Sequence, residues 1–367
     1  MKKADCAGSI EFNLIYMQHT FKKGLSLTGL LKRLGLASFT WMASVCVSWA
    51  QSSLSDPCDS LVPALVGGAI PTAQSDTAVL RWLGNANYEI AYKGKVYLLD
   101  TYYDRKARSR SLGFTVPEVK KADLIMVGHA HFDHIADIGP VSVQTGARVV
   151  GSAITIETAK ALGMPPSAAV EVQGGDQLEL GELRLDVALA RHSTIQNGLI
   201  EAYANLYKIE VRADTPEEAQ KTRLVMSRGS NDPRIIDQGT LAYGLTFRNG
   251  FKLVIFGSAG PITPGAEQMA QKMGPVDVAI VSYQPHAVSE RQVMETMPLV
   301  QLFKPKLLLP AHHDASFGTW IDLGLEPLFE KVREVSPSTR FLAPLYRSPI
   351  CIATSGDRRG QVIQYTN

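Results

Sequence analysis

At 367 residues with 45% hydrophobic and 20% charged residues, the chain has the composition of a globular protein, which excludes a disordered chain, a collagen-like repeat and a polytopic membrane protein. Its formal charge of +2 is unevenly placed: residues 1–50 hold six Lys/Arg against Asp5 and Glu11, and this surplus of four positive charges leaves residues 51–367 at −2. A near-neutral body offers no basic field for nucleic acid or anionic lipid.

The first fifty residues read as a signal peptide. Lys22, Lys23, Lys32 and Arg33 precede an apolar run over residues 34–47, and Ser48-Trp49-Ala50 presents small residues at its first and third positions before a cleavage point at Gln51. Starting at Met17 instead brings the leader close to the usual length of roughly 15–30 residues. An uncleaved anchor is the alternative, although the run is shorter than the roughly 20 residues a spanning helix needs. The mature chain is therefore expected in the periplasm or secreted, with no stable membrane insertion after cleavage and its oligomeric state open. Cys6 and Cys46 leave with the leader, so Cys58 and Cys351 remain. An oxidising compartment invites one bridge between the mature N-terminus and a strand over residues 348–354. A free Cys58 with a merely buried Cys351 is the alternative.

Residues 51–77 form an N-terminal extension. From Ala78 the chain alternates β-branched runs with helical stretches, the pattern of an α/β domain over residues 78–367. Strands are predicted over 78–83, 88–92, 96–100, 124–127, 183–190, 241–247, 251–256, 276–281 and 307–309. Asn249-Gly250 is predicted to make a two-residue hairpin turn. Helices are predicted over 153–162, 264–273, 290–302 and 325–335, with Pro305 as a stop after the third. Residues 213–239, with Glu217-Glu218, Gly229-Ser230-Asn231 and Asp232-Pro233, read as a polar insertion or lid.

Seven histidines follow the leader, and three of them sit in Gly128-His129-Ala130-His131-Phe132-Asp133-His134, directly after an apolar run. At this composition a chance HxHxDH arises in roughly one chain in several thousand. The physical reading is a metal site in a loop at a strand end, since imidazole is the commonest zinc ligand and a strand aims such a loop rigidly. One HxH pair supplies two ligands to one ion, and the next Asp and His turn towards a second. Further ligands must come from elsewhere. Arg191-His192-Ser193 and Pro310-Ala311-His312-His313-Asp314 both follow predicted strands.

With these residues in view, the sequence resembles the metallo-β-lactamase superfamily over residues 78–317. The matching pieces are Leu80-Arg81-Trp82-Leu83-Gly84-Asn85, Leu98-Leu99-Asp100, the HxHxDH run, His192, Phe256-Gly257-Ser258 and Pro310-Ala311-His312. Their order is most similar to the lactonase-like branch that includes ascorbate-6-phosphate lactonase. The resemblance implies an α/β fold, a four-layer αβ/βα sandwich of two mixed sheets flanked by helices, with metals at one edge. It also implies that His129, His131 and His192 hold a first metal and Asp133, His134 and His312 a second. Zinc is the expected ion, one or two per chain, with manganese and iron open because imidazole and carboxylate suit all three. Asp100 is implied to orient a ligand histidine through a hydrogen bond, and His313 to be either such an outer partner or an exposed loop residue.

Ser258 stands where most hydrolases of this superfamily carry a metal-bridging Asp. A hydroxyl is the poorer ligand near neutral pH, which leaves three readings: a two-metal site with water in place of the carboxylate, a one-metal site, or a degenerate site. The third subclass of metallo-β-lactamases is similar in having Ser at this position. The reaction implied is hydrolysis of an ester, lactone or phosphodiester in a small-molecule substrate by a metal-bound hydroxide that Asp133 orients. Ser282-Tyr283-Gln284-Pro285-His286 is implied to face the cleft, with Tyr283 and His286 as hydrogen-bonding or proton-donating groups. Tyr102, Tyr103 and Arg105 either line the same mouth or pack on the scaffold. The competing functions are a periplasmic metallo-β-lactamase and, from another class, a metal- or ligand-binding protein without turnover.

Overall fold

A computed structural model describes residues 56–194, 205, 212–284, 289–316, 320–322 and 324–366. The expected leader lies outside the described residues, as does His286. The strands are β1 (Thr77–Trp82), β2 (Tyr88–Tyr92), β3 (Lys95–Leu99), β4 (Leu124–Met126), β5 (Arg148–Gly151), β6 (Ala169–Glu171), β7 (Gln177–Leu180), β8 (Leu183–Leu189) and β9 (Leu241–Phe247). They continue as β10 (Lys252–Phe256), β11 (Val278–Ser282), β12 (Leu307–Ala311), β13 (Asp314–Ser316), β14 (Trp320–Asp322), β15 (Arg340–Phe341), β16 (Ile350–Ala353) and β17 (Val362–Tyr365). The helices are α1 (Phe132–Ile135), α2 (Ile138–Thr145), α3 (Ala153–Ala161), α4 (Pro216–Met226), α5 (Pro264–Met273), α6 (Ser289–Phe303) and α7 (Glu326–Val335).

Alternation along the strands decides the layering. In β9 and β10, Leu241, Tyr243, Leu245, Leu253 and Ile255 point into a central cluster with Leu80, Tyr88 and Met126 of the other sheet. Their neighbours Ala242, Val254 and Phe256 pack instead with Met269 and Met273 of α5 and Val300 and Phe303 of α6. Likewise Leu124 and Met126 of β4 face inward, while Ile125 and Val127 pack outward with Ile138 and Val141 of α2 and Ile156 of α3. Strands buried on both faces are near-continuously apolar, as strands covered by helices must be. Two sheets, in the orders β17-β16-β1-β2-β3-β4-β5-β6 and β15-β12-β11-β10-β9-β8-β7, thus pack face to face between helical layers. This is the expected four-layer αβ/βα sandwich.

The hairpin joining β9 to β10 differs from expectation. Phe247 N–H donates to Phe251 O at 2.9 Å and Gly250 N–H to Phe247 O at 2.8 Å, which makes a three-residue loop. Only Gly250 takes a left-handed φ, of 83°, the position at which such loops need glycine.

The extension before β1 is pinned to the first sheet. Cys58 and Cys351 are joined by a disulfide, which settles between the two alternatives for these cysteines. Beneath it, Arg81 and Glu89, both fully buried, form an ion pair at 3.0 Å. Glu89 accepts from Ala64 and Leu65 N–H at 3.0 and 2.6 Å, and Arg81 donates to Pro57 O and Ser60 O at 2.9 and 3.0 Å. Both Glu89 oxygens and both terminal Arg81 nitrogens are thereby bonded, which offsets the cost of burying the pair; among the described residues only Arg81 Nε of this pair has no partner.

Residues 213–239 are built into the body. Thr215 and Glu218 form a reciprocal capping box at the start of α4. Ser230 N–H donates to Ala130 O at 2.8 Å, and Gly229 lies so close to the ligand loop that a Cβ there would meet Phe132 N at 2.3 Å.

Candidate metal centre

Every candidate ligand follows a strand end, and those ends share one edge of the sandwich. β3 runs parallel to β4, and β10, β11 and β12 run parallel to one another. β8 points the same way as β10, because both pair antiparallel with β9. The edges are laced together where the ligands start: Leu241 N–H donates to Gly128 O at 2.8 Å, and the Tyr243 hydroxyl donates to Val127 O at 2.7 Å. At the crossing, Gly128 and Gly257 face each other so closely that a Cβ on Gly128 would stand 3.7 Å from the Gly257 Cα.

Two groups of donors form there. His129, His131 and His192 make one and Asp133, His134 and His312 the other, the donor atoms within each lying within 4.8 Å of one another. In the first group, His131 Nδ1 stands 3.0 Å from His129 Nε2 and 3.2 Å from His192 Nε2. In the second, His312 Nε2 stands 3.1 Å from Asp133 Oδ2. Asp133 and His134 share the single turn α1, capped by His131, so the HxHxDH spacing delivers four donors from six residues. Asp100 and His312 both adopt left-handed φ of 59°, a conformation that Asp, Asn and His tolerate better than most residues.

The outward ring nitrogens fix the tautomers. His192 Nδ1 donates to Ser193 O at 2.8 Å and His134 Nδ1 to Asp100 Oδ2 at 2.7 Å, which leaves both Nε2 lone pairs facing inward. Asp100 is itself held by Gly128 N–H at 2.7 Å. Burial and the neighbouring imidazoles hold His129 well below the ordinary histidine pKa, and burial with His131 brings His192 down to about 4. Burial opposes ionisation of Asp133, but His134 and His312 outweigh it and hold this carboxyl well below its usual range. At neutral pH His129 and His192 are therefore neutral imidazoles and Asp133 a carboxylate, while at His134 the effect of burial is outweighed by Asp100 and Asp133, which raise its pKa. Three ring nitrogens converging to 3.0–3.2 Å share either a proton or a cation, and tetrahedral zinc ligands at about 2.0–2.1 Å stand roughly 3.3 Å apart. The donor set fits a divalent metal.

Asn85, which the sequence alone gave no role, ties the second group together. It sits in the β1–β2 turn with a left-handed φ of 46°. Its carbonyl accepts from His312 N–H at 2.7 Å and from Trp82 Nε1 at 2.7 Å. Its N–H donates to Asp314 Oδ1 at 2.7 Å and its side-chain Nδ2 to Asp133 Oδ2 at 3.3 Å. Arg105 fixes the amide's orientation by donating to Asn85 Oδ1, so that Nδ2 must face Asp133. Arg105 is paired with buried Asp314 at 2.8 Å, and the Tyr346 hydroxyl also bonds Asp314.

The other expected residues are placed as follows. The Ser258 hydroxyl accepts from Ser193 N–H at 2.9 Å and donates to Gln284 Oε1 at 3.2 Å. His313 is not exposed: it is 3% accessible and stacks on Trp82 at 4.0 Å. Tyr283 is corrected. It has no accessible surface and joins the apolar cluster on the helical side of the second sheet, because the alternation that sends Ala279 and Val281 there sends Tyr283 with them. Tyr102 and Tyr103 are scaffold aromatics, packed edge-on to Phe132 and Phe114.

A family model described as a beta-lactamase superfamily domain matches residues 95–313, more than half of the chain. The chain is similar to a UPF0173 metal-dependent hydrolase of Roseiflexus sp. (strain RS-1), 30% identical over 132 residues that make up 33% of this chain and 51% of the relative. It is also similar to one from Roseiflexus castenholzii (strain DSM 13941 / HLO8), 31% identical over 140 residues, 35% of this chain and 54% of that one. The chain thus spans about half the length of the curated relatives it matches. Among solved structures it resembles Igni18, a metallo hydrolase from the hyperthermophilic archaeon Ignicoccus hospitalis KIN4/I, with a TM-score of 0.52 at 15% identity, covering 75% of this chain and 98% of that one. That likeness is one of fold. From the matched domain and the fold, the chain belongs to the β-lactamase superfamily.

Proposed function

We propose that this chain is an exported, metal-dependent hydrolase of the lactonase-like branch, acting on an ester, lactone or phosphodiester. The observation that carries the reading is the pair of donor groups at the joined sheet edges, with their outward nitrogens and carboxylate held by Ser193, Asp100 and Asn85. The relatives' description as metal-dependent hydrolases supports it. His129, His131 and His192 hold one ion, and Asp133, His134 and His312 a second, with zinc as the proposed metal. Such ions, when bound, supply an activated water at neutral pH and polarise a carbonyl or phosphoryl oxygen. The hydrogen bonds of Asp133 among the described residues run through Oδ2, so Oδ1 is the atom that accepts a hydrogen bond from the attacking water and orients it. The buried Cys58–Cys351 disulfide supports an oxidising compartment.

The test is elemental analysis of the purified mature protein beside hydrolysis of a panel of lactones, phosphodiesters and β-lactams. His131→Ala is expected to lose metal and all hydrolysis, and an unchanged rate refutes the reading. Turnover of a chromogenic cephalosporin with none of the lactones moves the assignment to a β-lactamase. A second reading, metal binding without turnover, draws on Ser258, whose hydroxyl is committed to Ser193 and Gln284. At most one bound metal, with no hydrolysis across the panel, is the result that favours it.

A further inference from the structure

Away from both donor groups, a cavity of about 810 Å³ opens between the segment after Tyr102, helix α2 and helix α4. That volume falls within the range of small-molecule sites, about 300–1,000 Å³. None of the six candidate metal ligands lines it. One wall is apolar, with Leu112, Phe114, Val116 and Pro140; the rest carries Arg105, Lys106, Arg108, Arg110, Lys221 and Arg228.

The charges do not balance. Arg105 is matched by Asp314, Arg108 by Asp214 at 3.2 Å, and Arg228 by Asp137 and Asp104 at 3.0 and 2.9 Å. Lys221 shares Asp104 at 3.3 Å. Asp137 is already saturated, accepting from Tyr103 and Asp104 N–H at 2.6 and 2.8 Å as well as from Arg228. Arg110 has no carboxylate within ion-pair distance among the described residues, and its guanidinium lies over the Tyr346 ring at 5.0 Å. Among the described residues Arg105, Arg108, Arg110, Lys221 and Arg228, five cations, thus face the four carboxylates Asp314, Asp214, Asp137 and Asp104 across a concave surface with an apolar side, where field lines from like charges concentrate.

We propose that this cavity is a second binding site, for an amphipathic anion: a carboxylate or phosphate group on an apolar body. The anion sits among Arg110, Lys221 and Arg108, and the body lies against Phe114, Val116 and Pro140. The residues that hold the anion, Arg110, Lys221 and Arg108, belong to neither donor group, so the site can be tested apart from the proposed hydrolase activity.

The experiment is calorimetric titration of the protein with octanoate, octyl phosphate and octanol, repeated on the variants R110E/K221E and His131→Ala. Arg110 and Lys221 are solvent-exposed, so the charge reversal should leave the circular dichroism spectrum unchanged. Saturable binding of both anions is expected, with octanol and the charge-reversed variant each weaker by roughly tenfold. His131→Ala should bind as the wild type does. Equal affinity for octanol, anion binding untouched by R110E/K221E, loss of binding in His131→Ala, or no binding of either anion at millimolar concentration each overturns the proposal.

Discussion

Removing the Asn85 side chain should weaken the second donor group and spare the first. Asn85→Gly is the right perturbation, because glycine keeps the left-handed backbone at φ 46° and so preserves the bonds to His312, Trp82 and Asp314 made by main-chain atoms. What disappears is the Nδ2–H bond to Asp133 Oδ2, at 3.3 Å, together with the Oδ1 that accepts from Arg105, which keeps its pairing with Asp314. A hydrogen bond to a charged group is worth about 1.5–3 kcal/mol, and deleting an outer partner of a metal ligand typically costs 10–100-fold in affinity. The long separation places this bond at the weak end, so about tenfold is expected. The assay is competitive zinc titration against a chromogenic chelator, which resolves two binding steps. Expected is a tenfold loss confined to the weaker step. Two zinc constants within about threefold of the wild type, or an equal loss at both steps, refute the assignment of Asn85 to Asp133 alone.

The remaining predictions concern stability. In the chain-entropy treatment, a bridge across the 293-residue separation of Cys58 and Cys351 stabilises by about 5–6 kcal/mol; C58A/C351A should lower the urea midpoint accordingly, and a loss below about 1 kcal/mol in the extrapolated free energy refutes it. Burial pushes His313 down to about 4, against the pull of Asp314. In the unfolded chain this imidazole binds its proton near pH 6.5, so the unfolded state takes up more protons between these values and stability falls as pH drops from about 6.5 to about 4. With metal chelated from both proteins, the wild type should lose roughly 3 kcal/mol more than His313→Phe across that window; parallel denaturation curves count against the burial of a neutral ring.

Four of the six donors, His129, His131, Asp133 and His134, were legible in the sequence because their spacing is local. A strand end followed by HxHxDH leaves few geometries for the rings, and the two distant histidines followed strands in the same way. The Asn85–Arg105–Asp314–Tyr346 network was not legible, since it draws one residue from each of four separated segments and no periodicity links them. Tyr283 was misplaced for a simpler reason. β11 runs on to Ser282, so the strand's alternation governs the residue after it, where loop composition had suggested a cleft. β6 and β7 were missed because they are short and at most half-buried, which gives them no apolar run to read. β5 begins on exposed Arg148 and ends on Gly151, which leaves only Val149 and Val150 as its apolar run.

The bridge between Cys58 and Cys351 turns nearly the whole domain into a covalent ring. A protease that cuts once anywhere between these two residues opens the ring without releasing a fragment. Such a nicked molecule should keep its mass on a non-reducing gel and divide into two pieces only when thiol is added. Cleavage on the leader side of Cys58 falls outside the ring and sheds its fragment at once, so the two gels together locate a cut as within or before the ring.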